Sequence, residues 1–237
     1  MKKMIFTAML IAGGAQASFA QTEANTVKEK MADQYLGVQV NSLIRQVFNF
    51  NNTTTSSVVN PYLLNYSINS RKSGWGGRIG IGYNYNSSSS NDGITSTDTK
   101  LNDLSARIGV EKAFKLSGRW SAGAGLDFVY NTNDDHTVNN INSNFGGQNT
   151  DTKTTISSYG GGPMAWLRYN ITDKIVVGTE ASFYYTTGNQ KQTISITDPN
   201  NGFPGGGGGF PQTSNTSNKV SLGVFNSPVV FFLSVKF

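Results

Sequence analysis

The chain has 237 residues, a formal net charge of +5 and no cysteine, which excludes a disulfide framework and a lipid-anchored amino terminus. Only 37% of its residues are hydrophobic, yet 11% are aromatic and 27 are glycine, a combination that favours a β-barrel with a polar interior over a soluble globule. The basic residues are scattered, so the sequence gives no support to nucleic-acid binding.

The amino terminus has the pattern of an export signal. Two lysines are followed by a short apolar run, and small residues stand three and one positions before Gln21. The apolar run is shorter than the roughly 20 residues that a membrane-spanning helix needs. We therefore predict a cleaved signal peptide over 1–20, a short periplasmic segment over 21–34 and a β-barrel over 35–237.

Eight later segments alternate apolar and polar residues, as half-buried strands do. They lie at 35–48, 62–69, 75–86, 100–114, 119–130, 155–171, 174–186 and 219–237. Short connections at 70–74, 115–118 and 172–173 alternate with long ones at 49–61, 87–99, 131–154 and 187–218, which are rich in Asn, Ser, Thr and Gly. This asymmetry predicts an all-β fold, an eight-stranded antiparallel up-and-down transmembrane β-barrel with short periplasmic turns and long extracellular loops.

Charged residues fall on one face of the predicted strands. In the fifth strand, for example, Leu126 and Phe128 share one face and Asp127 lies on the other. The charges assigned to the lumen in this way are Arg45, Arg78, Arg107, Glu111, Asp127, Arg168 and Glu180, with Asp103 on the same side. Because eight strands leave an interior just wide enough for side chains, these charges must pair. We predict a salt-bridge network that plugs the lumen, with a narrow path for ions or small solutes as the alternative.

Aromatic residues gather near both ends of the strands. Trp75, Phe114, Trp120 and Tyr169 lie towards the short turns, and Tyr62, Tyr83, Tyr85, Tyr130 and Tyr185 lie towards the long connections. Two such girdles are typical of the two membrane interfaces. Lys112 falls on the lipid face near a short turn, where its ammonium can snorkel. The phase of alternation differs between Val224 and Val229, which predicts a β-bulge at 226–228.

Few residues in the sequence are candidates for catalysis or for binding a metal ion or a cofactor. His136 follows Asp134 and Asp135 in a long loop, which raises the possibility of a general base, and these carboxylates with Asp151 raise that of a divalent cation site. The loop is flexible and the spacing fits no known cation loop. The glycine run between Phe203 and Phe210 lacks a phosphate-loop pattern. We therefore expect no catalytic site, no cofactor and no metal site.

The last strand carries the strongest family signal. Phe231, Leu233, Val235 and Phe237 share one apolar face, and the chain stops on an aromatic residue. Together with the export signal and the alternating connections, this resembles the small OmpA-transmembrane/OmpX-like barrels, particularly uncharacterised outer-membrane barrels of Bacteroidota. The resemblance implies a location in the outer membrane of a Gram-negative bacterium. It also implies contact with outer-membrane lipid and lipopolysaccharide, and assembly by the barrel assembly machinery, for which these four residues are the signal.

The predicted function is therefore that of a non-enzymatic outer-membrane barrel with a structural or surface-interaction role, for which the outer loops offer sites to an extracellular partner. A narrow channel, as in OmpW-like barrels, is the first alternative. A lipid-modifying enzyme is the second, although the lipid A enzymes of this architecture place a His and a Ser together, a pairing this sequence does not show. At the level of fold, a soluble secreted β-sandwich is the alternative.

Overall fold

Antiparallel β-strands make up nearly all of the residues that the computed structural model describes, which are 31–40, 61–143, 146–197, 212–226 and 231–237. The strands are β1 (Ala32–Gln39), β2 (Leu64–Ser70), β3 (Trp75–Asn91), β4 (Thr95–Lys115), β5 (Trp120–Ser143), β6 (Gly146–Asn170), β7 (Ile175–Thr197), β8 (Gln212–Asn226) and β9 (Phe231–Lys236). No helix in these ranges is long and apolar enough to span a membrane. The predicted signal peptide, Arg45 and the loop with Phe203 and Phe210 lie outside the described residues.

The strands close into a ring. Each strand from β1 to β6 pairs with the strand that follows it in the chain, and β7 also pairs with both β8 and β9. The ring closes where β9 pairs with β1, from Tyr35 opposite Lys236 to Gln39 opposite Phe232. Since β8 and β9 lie end to end along β7, they fill a single position. The predicted eight-stranded antiparallel barrel is confirmed.

The junction between β8 and β9 has extra residues, as the predicted bulge at 226–228 requires, but no change of phase, and residues 227–230 lie outside the described ranges. Ser182 pairs with Asn226 and Thr179 with Phe231, so three steps along β7 oppose five along β8 and β9. An insertion of two residues keeps the phase of alternation, and Phe225 and Phe231 both face outwards. The predicted change of phase was wrong because Val224, paired with the buried Tyr184, faces the lumen.

Three of the predicted long loops are mostly strand. β3 and β4 continue to a tight turn at 92–94, and β5 and β6 pair without interruption up to Ser143 opposite Gly146. β7 and β8 pair up to Ile196 opposite Gln212. A membrane-crossing strand needs only about 9–11 residues, whereas β5 has 24 and β6 has 25. The hairpins therefore extend well beyond the length that a bilayer requires.

The opposite end of the ring, here named the turn end, carries the predicted short connections. Gly74 donates its N–H to the Ser70 carbonyl at 2.8 Å, and Leu116 donates to Trp120 at 3.0 Å. Gly74 has a φ of 74°, a conformation that only glycine adopts readily, and a Cβ there would lie 2.5 Å from the Ala113 oxygen. The protruding hairpins lie at the other end, here named the hairpin end.

The two faces of the ring have opposite chemistry. Outward-facing side chains are large and apolar, such as Ile108, Leu126 and Phe128, which are 54–61% exposed. The buried side chains are largely polar or charged, and they include Arg78 and Glu111. Such an arrangement is the reverse of a soluble protein, in which buried residues are mostly apolar.

Most of the predicted aromatic positions lie on the outward face. Lys112 shares that face, with its ammonium 5.3 Å from the ring centroid of Trp75 and 6.0 Å from that of Phe114. Tyr62 is an exception, since it is 1% exposed and its ring lies 4.2 Å beneath the Arg107 guanidinium inside the barrel. Its assignment to the outer girdle was wrong because it precedes β2, and the alternation of side chains between the two faces begins only within that strand.

Candidate functional site

Six of the eight charges predicted to face the lumen lie together inside the barrel. They are Arg78 on β3, Arg107 and Glu111 on β4, Asp127 on β5, Arg168 on β6 and Glu180 on β7. Of the other two, Asp103 lines a cavity at the hairpin end of the lumen, and Arg45 lies outside the described residues. Period-two alternation turns each of these side chains inwards. We name these six residues the lumen network.

Glu180 joins two arginines from the far side of the barrel. Its Oε2 accepts hydrogen bonds from Arg78 at 2.6 Å and from Arg107 at 3.1 Å, and its Oε1 accepts another from Arg107. Arg107 also donates to the side-chain oxygen of Asn65 at 2.5 Å. Hydrogen bonds between charged partners are among the strongest in proteins.

Asp127 bridges the same two arginines from a neighbouring strand. Its Oδ1 lies 3.3 Å from Arg78 Nε, and its Oδ2 lies 3.7 Å from Arg107 Nη1. The Tyr184 hydroxyl donates a hydrogen bond to Oδ2 at 2.5 Å. Asp127 and Glu180 thus place two carboxylates against two guanidinium groups.

Glu111 forms the part of the network nearest the turn end. Its Oε2 accepts a hydrogen bond from Trp166 Nε1 at 2.9 Å and lies 3.8 Å from Arg78 Nη1. Its Oε1 lies 3.9 Å from Arg168 Nη2, and that same nitrogen donates to Ser67 at 3.0 Å. The Arg168 guanidinium packs 4.0 Å from the centroid of Trp166 and 4.6 Å from that of Tyr35.

The network is electrically balanced, with three arginines and three carboxylates. Arg107 and Asp127 are each 4% exposed, and Glu111 is fully buried. An isolated buried charge costs several kcal/mol of desolvation. Pairing across the lumen is therefore what makes these side chains tolerable in a barrel this narrow.

The sequence did not identify Tyr184, Trp166 and Tyr62 as partners of the lumen network. Tyr184 shares the parity of Glu180, so its inward orientation was readable, and the same argument applies to Trp166 and Arg168. Tyr62 gave no such signal. Glycines supply the room, since a Cβ on Gly123 would lie 2.3 Å from the Trp166 ring.

Two open cavities flank the network. The cavity at the hairpin end has a volume of about 740 Å³ and is lined by Asn84, Asp103, Asn131 and Tyr184 among others. The one at the turn end has about 810 Å³, with Asp33, Arg71 and Arg168 in its lining. A third cavity, of only about 40 Å³, is bounded by three arginines of the network and Glu180. The lumen narrows sharply at the network.

Known proteins offer few similarities to this chain. No family model and no curated protein matches the chain. A solved structure that is similar is CarO of Acinetobacter baumannii, with 9% sequence identity and a TM-score of 0.35 over 87% of this chain and 95% of CarO. The fold therefore rests on the strand pairing of this chain, and the resemblance to OmpA/OmpX-like barrels stays a prediction.

The remaining candidate residues fall on the protruding hairpins and on β9. His136 lies in β5 rather than in a loop, and its Nε2 is 2.8 Å from Asp151 Oδ1. Asp134 and Asp135 are adjacent strand residues and so face opposite sides of the sheet. Within the described ranges no group of three metal-ligating side chains converges.

The predicted assembly residues lie on the outer face of the closing strand. Phe231, Leu233, Val235 and Phe237 are 42–51% exposed, whereas Phe232 and Ser234 between them are buried. The four side chains thus form one apolar ridge beside the seam with β1.

Proposed function

We propose that the chain is an integral outer-membrane β-barrel protein of a Gram-negative bacterium, with a plugged lumen and a structural or surface-interaction role. The observation that carries this proposal is the reversal of polarity, with large apolar side chains outside the ring and paired charges within it. In water, so large a continuous apolar surface would drive aggregation. In a bilayer the same surface contacts lipid, and the pairing of β9 with β1 closes the ring of strands.

The plug supports a role outside the lumen. Arg78, Arg107, Asp127 and Glu180 cross the barrel with contacts of 2.6–3.7 Å, and the space beside them is about 40 Å³. That volume holds only a few water molecules. The surfaces left for interaction are the lipid face and the protruding hairpins, which would meet lipopolysaccharide or an extracellular partner.

Assembly follows from the closing strand. Phe231, Leu233, Val235 and Phe237 offer an outward aromatic and aliphatic ridge that ends on phenylalanine. We propose that the barrel assembly machinery recognises this ridge, as the family resemblance implies. No cofactor is needed for this function.

A narrow channel is the second candidate. It is favoured by the open cavities of about 740 and 810 Å³, which approach the network from both ends. Conduction would require the contacts of Arg78 and Arg107 to open. We propose no enzymatic role, because His136 and Asp151 lie on the sheet that protrudes beyond the barrel.

Cysteine substitution tests the membrane location directly, since the chain has no cysteine of its own. Leu126→Cys and Ser88→Cys would each carry a nitroxide label in vesicles of outer-membrane lipid. We expect the label at Leu126 to be accessible to oxygen and shielded from a polar nickel complex, and the label at Ser88 to behave in the opposite way. A label at Leu126 that meets the nickel complex freely would contradict the proposal.

The structural and surface roles are separable in cells. A strain that lacks the protein would be complemented either with the full chain or with a barrel whose hairpins are shortened above residue 87 on β3 and the matching positions of β4–β8. Restored resistance to bile salts with the shortened barrel would indicate a structural role. Resistance restored only by the full chain would indicate that the hairpins carry the function.

A further inference from the structure

The outward face of the protruding hairpins carries a ring of basic side chains. On each of four strands, one basic residue lies six positions along the chain from the last outward aromatic residue of that strand. These basic residues are His136 on β5, Lys153 on β6, Lys191 on β7 and Lys219 on β8. Those aromatic residues are Tyr130, Tyr159, Tyr185 and Phe225, which are 43–65% exposed. An even separation along an uninterrupted strand places both residues on one face.

Strand pairing brings the members of this ring together. Lys100 on β4 is directly opposite His136, which is directly opposite Lys153. Lys191 pairs with Thr155, two positions from Lys153, and Lys219 pairs with Asn189, two positions from Lys191. Direct partners have Cβ atoms about 5 Å apart and such diagonal neighbours about 7–8 Å apart. We name these five residues the basic ring.

Neighbouring carboxylates offset only part of the charge of the four ring lysines in the described part of the chain. Lys100, Lys153, Lys191 and Lys219 form no salt bridge there. Three carboxylates share the outward face. Asp151 is bound to His136 at 2.8 Å, Asp134 accepts a hydrogen bond from Thr155 at 2.7 Å, and Asp98 lies towards the tip of β4. The lysines are thus exposed, unpaired and close to one another.

The residues around the ring are mostly hydroxyl and amide side chains, with one carboxylate, Asp134, and one glycine, Gly223. Between the aromatic level and the ring, the outward positions are Asn102, Thr132, Asp134, Ser157, Thr155, Thr187, Asn189, Gly223 and Ser221. Such a surface is too polar for hydrocarbon and lacks the apolar centre of a stable protein interface. It suits hydrogen bonding to sugars.

The height of the ring matches the headgroup layer. Six residues at about 3.3 Å each, along strands tilted by about 40°, place it roughly 15 Å above the aromatic girdle. Since that girdle marks the edge of the hydrocarbon, the ring lies among the saccharides of the outer leaflet. The saccharides of lipopolysaccharide carry phosphate and carboxylate groups.

We propose that the basic ring binds the phosphorylated core saccharide of lipopolysaccharide, with Lys153, Lys191 and Lys219 contacting its phosphates. The inference rests on the proposed location in the outer membrane. Basic clusters at membrane surfaces bind anionic headgroups through charge–charge attraction and hydrogen bonds. The ring thereby gives the protruding hairpins an anchor in the glycolipid layer.

Two triple variants with the same change of net charge test the proposal. In K153Q/K191Q/K219Q the ring loses three lysines, and in the control K72Q/K115Q/K174Q three lysines are lost at the turn end, where they form no salt bridge. The mature proteins would be folded in zwitterionic micelles and titrated with fluorescent rough-form lipopolysaccharide. The titration would be repeated with the same glycolipid after enzymatic removal of its phosphates and with lipid A alone.

We expect the ring variant to bind the phosphorylated glycolipid roughly tenfold more weakly than the wild type, since each lysine near an anionic surface contributes up to about fivefold. The control variant should bind within about twofold of the wild type. Dephosphorylation of the glycolipid should remove the difference in affinity between the ring variant and the wild type. With lipid A alone this difference should be smaller than with the phosphorylated core. Equal weakening in both variants, or unchanged binding in the ring variant, would overturn the inference.

Failure of the proposed function is distinguishable from failure of this inference. Every variant would first be checked for the heat-dependent gel mobility of a folded barrel. If the wild type itself does not fold in a lipid environment, the membrane location is wrong. If all proteins fold but the ring variant binds normally, only the assignment of the ring is wrong.

Discussion

Arg78 on β3 and Glu180 on β7 meet at 2.6 Å across the full width of the barrel. These strands are four positions apart in a ring of eight, so they lie diametrically opposite each other. Arg168 on β6 reaches Ser67 on β2 in the same way, at 3.0 Å. Two contacts across the diameter therefore close the lumen with side chains alone, and we expect the stability of the wall to depend on them.

Glu180→Gln should destabilise the barrel strongly. The substitution keeps the volume of the side chain but leaves Arg78 and Arg107 short of one negative charge in a buried site. Breaking a buried pair on one side costs about 3–5 kcal/mol. Urea unfolding in vesicles measures the loss, with Lys174→Gln in a turn as the control, expected to stay within about 0.5 kcal/mol of the wild type. An unchanged midpoint for Glu180→Gln would mean that the network does not stabilise the fold.

Gly123→Ala should disturb Trp166. A Cβ at this position would lie 2.3 Å from two atoms of the indole ring, whereas one on Gly118 would meet nothing within 4 Å. Because overpacking costs about 1–3 kcal/mol, we expect a lower unfolding midpoint and a shifted tryptophan emission for Gly123→Ala. Gly118→Ala should change neither. If both variants behave alike, the packing of Trp166 against β5 is not as described.

Leu126→Arg should be costly only in a membrane. Leu126 is 61% exposed on the outward face, midway along the barrel wall. An arginine at the bilayer midplane costs about 2–4 kcal/mol, and the cost falls towards the interfaces. Ser87→Arg lies on the same face beyond the aromatic level and should be nearly neutral. The free energy of unfolding in phospholipid vesicles distinguishes the two, and an equal cost would argue against a lipid-facing band.

The stability contributed by Asp33 should vanish at low pH. This carboxylate lies at the turn end, outside the part of the barrel that we propose crosses the membrane, 2.7 Å from Arg71 and 3.2 Å from Lys236 on the closing strand. Burial raises the pKa of Asp33, but hydrogen bonds and charge interactions with Arg71 and Lys236 outweigh it, so the pKa lies below its ordinary value.

A lowered pKa in the folded state stabilises the protein above the unfolded pKa of about 3.9, and the stabilisation is lost as the pH falls through the folded value. We therefore expect Asp33→Asn to unfold at lower urea than the wild type at neutral pH. The two midpoints should converge below the ordinary carboxyl pKa. A difference that persists at low pH would show that the Arg71 and Lys236 contacts are not ionic.

The barrel wall was predictable because its two faces meet different environments. Around Leu126 and Asp127 the outward side of the wall is apolar and the inward side is charged, so alternation with a period of two is visible in the sequence. The inward parity of Tyr184 was readable for the same reason. These are the segments in which prediction and structure agree.

The hairpins could not be predicted in this way. Along 131–143 and 146–154 both faces of the sheet meet polar surroundings, so Asn, Ser and Thr occupy both faces and no alternation remains. The phase of β8 failed for a related reason. Val224 is apolar but faces the wide cavity at the hairpin end of the lumen. From the sequence pattern alone, this side chain was expected to face lipid.

The most direct test of the plugged lumen is single-channel conductance of the mature protein in a planar bilayer. Only protein with heat-dependent gel mobility would be used, so that a silent bilayer cannot reflect misfolding. We predict no discrete current steps for the wild type, because Arg78, Arg107, Asp127 and Glu180 fill the lumen around a cavity of about 40 Å³. Reproducible steps from folded wild-type protein would contradict the plug and establish the channel.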